Sequence, residues 1–360
     1  GGCTSPLCDL ARLPIVPMAT LHAQPSRKIR GARDHKTLRR PGRGWKAGGM
    51  RIVTLTEPGG PENLTIAEAP RPVAGPGEVV IKVQAAGVNR ADLLQRQGFY
   101  PPPPGISEVI GLEVSGTIDE VGAGVAEWRP GDECVALLAG GGYAEYVGVP
   151  AGQVIAPPPG VDLVSAVGLV EVAATVVSNF DHVHLTSGES LLVHGGAGGI
   201  GTFAIQYAKA LGARVLTTAG SPEKLDLCRE LGADLAFDYH DDWAVAVSEA
   251  TGRRGVDVIL DVIGAKYLES NVAALAMDGR LVVIGMQGGR KGTLDLNRLL
   301  TRRGTVTATS LRGRPVAQKA AICAAVAERV WPLVASGAIR LAPETRFPLE
   351  QVADAHRRLE

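Results

Sequence analysis

SLLVHGGAGGIG, residues 190–201, joins a buried apolar run to an Ala-rich segment through glycines spaced G-x-G-x-x-G at Gly196, Gly198 and Gly201. The spacing alone is a weak signal; its place between a strand and a helix gives it meaning. Glycines permit a tight turn and let main-chain N–H groups come close to a ligand. With Ala197, Gly199 and Ile200, they would deliver a pyrophosphate to the helix N-terminus, where unpaired amides and the helix dipole favour anions.

Outward from this turn, residues 189–311 alternate between strand and helix patterns. Apolar runs at 214–219, 235–239, 256–263, 280–285 and 305–311 predict strands, and 199–211, 222–231, 241–250 and 266–276 predict helices. Such a βαβ series predicts a doubly wound parallel sheet of the α/β class. About 20 residues beyond the first glycine, a site built for a free ribose 2′-hydroxyl carries Asp or Glu. Here Thr218, Ala219, Gly220 and Ser221 stand there instead. Ser221, Lys224 and Tyr239 together favour a 2′-phosphate, hence NADPH over NADH. Lys224 taken alone reads equally well as a solvated helix charge.

Upstream the pattern differs. Residues 50–55, 64–69, 78–86, 112–121, 132–138 and 143–149 alternate like strands between Gly/Pro turns and predict an antiparallel or barrel-like β domain. Short helices are expected near 89–97 and 163–180, a longer one at 316–336, and an extended piece at 345–349. Residues 1–49 show neither period and hold 10 basic against 2 acidic side chains. They read as a disordered basic tail, non-native or upstream of Met50.

The whole chain has 360 residues, 37 basic and 37 acidic, enough for about two domains. Residues 50–360 carry 27 basic and 35 acidic side chains, which argues against nucleic acid as the main ligand. No uninterrupted apolar run reaches the roughly 18–20 residues of a membrane span. Five widely spaced cysteines give no disulfide framework and point to a reducing, cytoplasmic setting; Cys3 and Cys8 lack a second pair for zinc.

The stretches 59–64 (GGPENL), 87–105 (GVNRADLLQRQGFYPPPPG), 111–116 (GLEVSG), 140–147 (GGGYAEYV), 194–201 (HGGAGGIG), 219–224 (AGSPEK) and 311–314 (LRGR) carry a family likeness. From Met50 to Glu360 the chain resembles the zinc-independent quinone oxidoreductases of the medium-chain dehydrogenase/reductase superfamily, and most of all the p53-inducible branch. The resemblance implies a GroES-like β domain interrupted by a Rossmann domain, with NADPH held between them. The expected boundaries are 50–172 and 313–360 for the first and 173–312 for the second.

The resemblance also implies roles. Asn89 and Tyr100 would line the nicotinamide and quinone site; Tyr100 also reads as a residue pinned by prolines 101–104. Thr175 would lie near the nicotinamide, although Val170 replaces the family's proline five residues earlier. Gly285 would meet the carboxamide through its backbone. Arg312 would approach the cofactor phosphates, or else be a solvated charge. Zinc-bearing relatives use Cys in G-x-C-x-x-D and His in G-H-E; here Asn89 precedes Asp92 and Leu112 precedes Glu113, so no metal is expected. The family's closing Gly-Lys-containing strand is not found before Glu360, which implies an exposed sheet edge.

The expected reaction is NADPH-dependent quinone reduction. No His/Asp or Ser/His/Asp set is apparent, and His194 reads as structural. The alternatives are reduction of an alkenal, enone or enoyl thioester, and a crystallin-like or RNA-binding protein that uses the basic tail. The strand at 305–311 resembles the family's dimer edge and implies a homodimer.

Overall fold

The computed structural model describes residues 18–22 and 45–360, which divide into two units: Met18–Ser178 with Ser310–Glu360, and Asn179–Thr309. The first unit opens with β1 (Met18–His22), β2 (Trp45–Leu55), β3 (Leu64–Pro72), β4 (Glu78–Val88), α1 (Arg90–Arg96), β5 (Glu113–Val121), β6 (Glu133–Leu137), β7 (Tyr146–Pro150) and β8 (Val154–Ile155). The unit boundary falls within the long helix α2 (Leu163–His182). The second unit holds β9 (Ser190–His194), α3 (Gly199–Ala210), β10 (Arg214–Ala219), α4 (Pro222–Glu230), β11 (Leu235–Asp238), α5 (Trp243–Ala250), β12 (Val256–Asp261), α6 (Leu268–Ala274), β13 (Leu275–Val283), α7 (Leu296–Thr301) and β14 (Thr305–Ala308). The chain then returns through α8 (Val316–Arg329), α9 (Trp331–Ala335), β15 (Glu344–Pro348) and α10 (Val352–Leu359).

In the first unit seven strands form one sheet in the order β15-β1-β4-β5-β6-β8, with β7 also on β4, and β2 and β3 make a separate hairpin. Alternate residues of β4 and β5, among them Val79, Ile81, Val114 and Ile118, are buried in a core that also takes Leu21, Tyr143, Val149 and Ala355. Residues between them, Val80 and Ser115 among these, are buried as well, so both faces of these strands are covered.

Residues 18–22 depart from the expectation of a disordered tail. β1 pairs antiparallel with β4 (Thr20 opposite Gly87) and parallel with β15 (Thr20 opposite Arg346), and Ala19 and Leu21 are buried. The alternation in MATLH is only five residues long, and its two small apolar side chains find a core only because distant strands supply it. β2 likewise begins before Met50, with a bulge between Lys46 and Gly49. The rest of the expected tail, including Cys3 and Cys8, lies outside the described residues.

The second unit is a six-stranded parallel sheet in the order β11-β10-β9-β12-β13-β14. Leu192, Leu216, Ile259 and Leu281 fill its interior. The order reverses between β9 and β12, and ligands of open parallel sheets bind beyond the strand carboxyl ends at such a switch point. α2 has the length and hydropathy of a membrane span despite Glu171, but 78% of that window is buried inside the protein.

Candidate active site

The turn after β9 lies directly on its neighbours. Gly196 N–H donates to Thr218 O at 2.9 Å and Gly198 N–H to Gly195 O at 3.0 Å. A Cβ on Gly196 would fall 2.0 Å from Thr217 Oγ1 and 2.8 Å from Cys228 Sγ, and one on Gly201 2.3 Å from Gly195 O. Only glycine fits at either position. Gly198 flanks α3 without a side-chain cap, so the first-turn amides of Gly199, Ile200 and Gly201 meet no side chain there. With buried Ala197 they make a main-chain cradle suited to an anion.

At the next strand end, Ser221 caps α4 and its Oγ accepts from Lys224 N–H at 3.4 Å. Tyr239 N–H donates to Ala219 O at 3.1 Å, and a Cβ on Gly220 would lie 2.2 Å from the Tyr239 hydroxyl. Ser221 and the Lys224 main chain thus share one turn, and Tyr239 packs on the Gly220 that precedes it. The sequence reading missed Glu223 in the same turn. Its own N–H and the Ser221 hydroxyl hold its carboxyl below the usual carboxylate range. Gly285 follows β13, where a Cβ would fall 2.6 Å from Val262 O, so the loops after β12 and β13 pack main chain to main chain.

In the first unit Asn89 N–H donates to Asp92 Oδ2 at 2.7 Å, and Asn89 Nδ2 donates to Glu113 Oε1 at 2.8 Å. Glu113 Oε2 accepts from Glu171 N–H at 2.9 Å, and Thr175 Oγ1 donates to Glu171 Oε1 at 3.0 Å. Asn89 and Thr175 are thus joined through two carboxyls absent from the sequence-based site. Glu113 in an apolar strand and Glu171 inside apolar α2 were the signals available. A Cβ on Gly87 would sit 2.2 Å from Glu113 Oε1, so that glycine makes room for the carboxyl. With Val170 in place of proline, α2 runs on as helix and sets Glu171 and Thr175 one turn apart.

Burial pushes Glu113 up to about 8 and Asp92 up to about 7. The Tyr143 hydroxyl donates to Asp92 Oδ2 at 3.1 Å and lies 3.2 Å from His356 Nε2, whose ring burial pushes down to about 3. Zinc has no matching donor set here. The Asn89 amide is taken by Glu113, Leu112 is buried, and among the described residues no three His, Cys, Asp or Glu side chains converge to hold a metal.

Tyr100 is half-buried, with its hydroxyl 3.4 Å from Ser310 Oγ. Arg312 holds it: Nη1 donates to Tyr100 O at 3.1 Å and the guanidinium lies 5.1 Å from the ring centroid. Arg312 Nε donates to Ala139 O at 2.6 Å and Nη2 to Gln95 Oε1 at 2.7 Å. Only 5% exposed, this arginine spends three donors inside its own unit, in contrast to both the phosphate contact and the solvated charge expected of it. The sequence showed the charge but not the carbonyls waiting for it.

Two family profiles match the chain: alcohol dehydrogenase GroES-like domain over residues 75–159 and zinc-binding dehydrogenase over residues 199–326. A quinone oxidoreductase of Pseudomonas aeruginosa is 32% identical over 305 residues, covering 84% of this chain and 93% of that protein. The structure of a mycobacterial quinone oxidoreductase superposes with a TM-score of 0.76 at 34% identity, covering 86% of this chain and 96% of the other. The Escherichia coli quinone oxidoreductase complexed with NADPH gives a TM-score of 0.77 at 28% identity, covering 86% and 95%.

Proposed function

The chain belongs to the quinone oxidoreductase family of medium-chain dehydrogenases/reductases, and on that premise we propose that it is an NADPH-dependent quinone oxidoreductase working without zinc. The observation that carries the cofactor reading is the amide cradle at Gly196–Gly201 beside Ser221, Lys224 and Tyr239. No carboxylate stands at the ribose position from Thr218 to Ser221, and Lys224 supplies a positive charge against the negative one of Glu223 in the same turn.

Bound NADPH supplies the reducing electrons. The cradle amides would hold the pyrophosphate, and main-chain groups at Gly285 would hold the carboxamide. Tyr100 offers a flat face and a hydroxyl to a quinone, and Arg312 and Ser310 keep it in place. Asn89 is fixed by Glu113 and Asp92, and Thr175 by Glu171, so both enter the site preset. No strong protein acid is required. The hydroquinone anion is stabilised by its ring and takes its proton from water. An amide and a leucine cannot replace thiolate and imidazole on Zn²⁺, so the proposed chemistry has no metal step.

We place the protein in the cytoplasm as a homodimer paired through β14, the outer strand of the parallel sheet. Thermal stabilisation by NADPH against NADH, followed by assays with simple quinones and with alkenals, tests the proposal. NADPH should stabilise the protein more and quinones should turn over faster. Faster turnover of alkenals would transfer the assignment to double-bond reduction.

A further inference from the structure

His194 ends β9 just before the glycine turn and is 1% exposed. Its Nε2 lies 2.7 Å from Asn271 Oδ1 and its Nδ1 3.0 Å from Thr218 Oγ1. An amide oxygen only accepts, so Nε2 carries the proton and Nδ1 accepts from the Thr218 hydroxyl. Burial pushes the ring down to about 4, which keeps this neutral form at physiological pH. Trp243 and Tyr267 flank it edge-on at 4.6 and 4.9 Å between ring centroids.

The chain of bonds continues both ways. Thr218 Oγ1 accepts from Gly195 N–H at 3.4 Å, and Thr218 O accepts from Gly196 N–H. On the other side Asn271 Nδ2 donates to Asp261 Oδ2 at 3.1 Å, and that carboxyl accepts from the N–H groups of Ile263 at 2.6 Å and Gly264 at 3.0 Å. Thr218, Asn271 and Asp261 are all buried. One hydrogen-bonded chain therefore ties together the carboxyl ends of β9, β10 and β12, where the switch point lies.

We propose that His194 is a positioning residue for dinucleotide binding, setting the Gly195–Gly198 turn in its ligand-ready form by holding Thr218 and Asn271 at once. The proposal rests on the NADPH reading and deepens it. A turn ordered in advance spares the ligand the cost of ordering it. Removing the imidazole nitrogens leaves two buried polar partners unsatisfied next to the turn.

The test compares His194→Phe, which keeps an aromatic ring between Trp243 and Tyr267, with His194→Gln, which keeps one donor and one acceptor. Dissociation constants are measured for NADPH and for adenosine 2′-monophosphate, which has no pyrophosphate. His194→Phe should weaken NADPH about tenfold, a loss of roughly 1.4 kcal/mol. It should leave the mononucleotide unchanged and raise KM for NADPH with kcat little altered; His194→Gln should restore most of the affinity. Thr218→Val, which removes only the hydroxyl, should show the same split and stands in if His194→Phe does not fold. Unchanged NADPH binding in both variants, or equal weakening of the two ligands, overturns the proposal. Wild-type protein that binds neither ligand overturns the NADPH reading instead.

Discussion

The two units hold their functional groups in different ways. In Asn179–Thr309 the cradle is main chain, and the glycines that shape it, Gly195 to Gly201, lie within one short stretch even though they pack on Thr217, Thr218 and Cys228 of the next strand and helix. In the other unit the Asn89 amide and the Glu171 main-chain N–H both donate to the Glu113 carboxyl, across sequence gaps of 24 and 58 residues, and the Glu171 carboxyl takes the Thr175 hydroxyl. A main-chain site leaves its mark as spacing, because glycine is demanded at fixed positions. A side-chain site leaves no spacing, because its partners arrive from distant strands and helices.

Substitutions can break this comparison. Gly196→Val has the largest expected effect. Its new side chain meets Thr217 and Cys228, and overpacking of about 3 kcal/mol at the cradle would weaken NADPH about 100-fold by titration. Normal affinity would show that the cradle does not hold the pyrophosphate. Arg312→Ala comes next. It strands three acceptors, and urea unfolding should show a loss of about 3 kcal/mol while NADPH affinity stays put. The reverse pattern would return Arg312 to the phosphates. Lys224→Ala should cost NADPH about tenfold, or 1.4 kcal/mol, and leave NADH unchanged in the same titration. Equal losses for both would mark Lys224 as an ordinary surface charge.

The carboxyls of the first unit make a pH prediction. Burial raises Glu113 from 4.5 to about 8 and Asp92 from 3.8 to about 7, so the folded chain keeps protons that the unfolded chain releases. Their contribution to stability is full below the unfolded values and is lost as pH rises from about 4 to about 8. Glu113→Gln carries no charge at any pH. Its stability relative to wild type should rise with pH, by about 1 kcal/mol or more between pH 5 and 9 in urea unfolding. Parallel profiles would contradict the buried acid. The smallest effect belongs to Glu223→Gln, which should improve NADPH affinity by no more than about threefold because that carboxylate is fully solvated. A loss of affinity would mean that Glu223 orients Ser221.

The same contrast sets how much was legible. The strand-turn-helix at 190–201 and the alternation from 189 to 311 foretold the parallel sheet, since period and glycine spacing are local. Ser221 as the α4 cap and Tyr239 beside Gly220 were legible because both sit at strand ends. β1 reads as tail in the sequence because five residues of weak alternation acquire meaning only when β4 and β15 flank them. Arg312 reads as a phosphate contact or a solvated charge because its charge is visible in sequence, whereas the carbonyls of Ala139 and Tyr100 are not. Asp92 and Glu113 were noted only for the zinc ligands missing beside them. Their burial against Tyr143, Asn89 and Glu171 depends on strand register.

Steady-state oxidation of reduced dinucleotide by 1,4-benzoquinone, in protein dialysed against a chelator and checked for metal content, tests the central claim most directly. The account predicts sustained turnover at negligible zinc, with kcat/KM at least tenfold higher for NADPH than for NADH. Turnover that vanishes with the chelator and returns with Zn²⁺, or no quinone-dependent oxidation of NADPH at all, would contradict it.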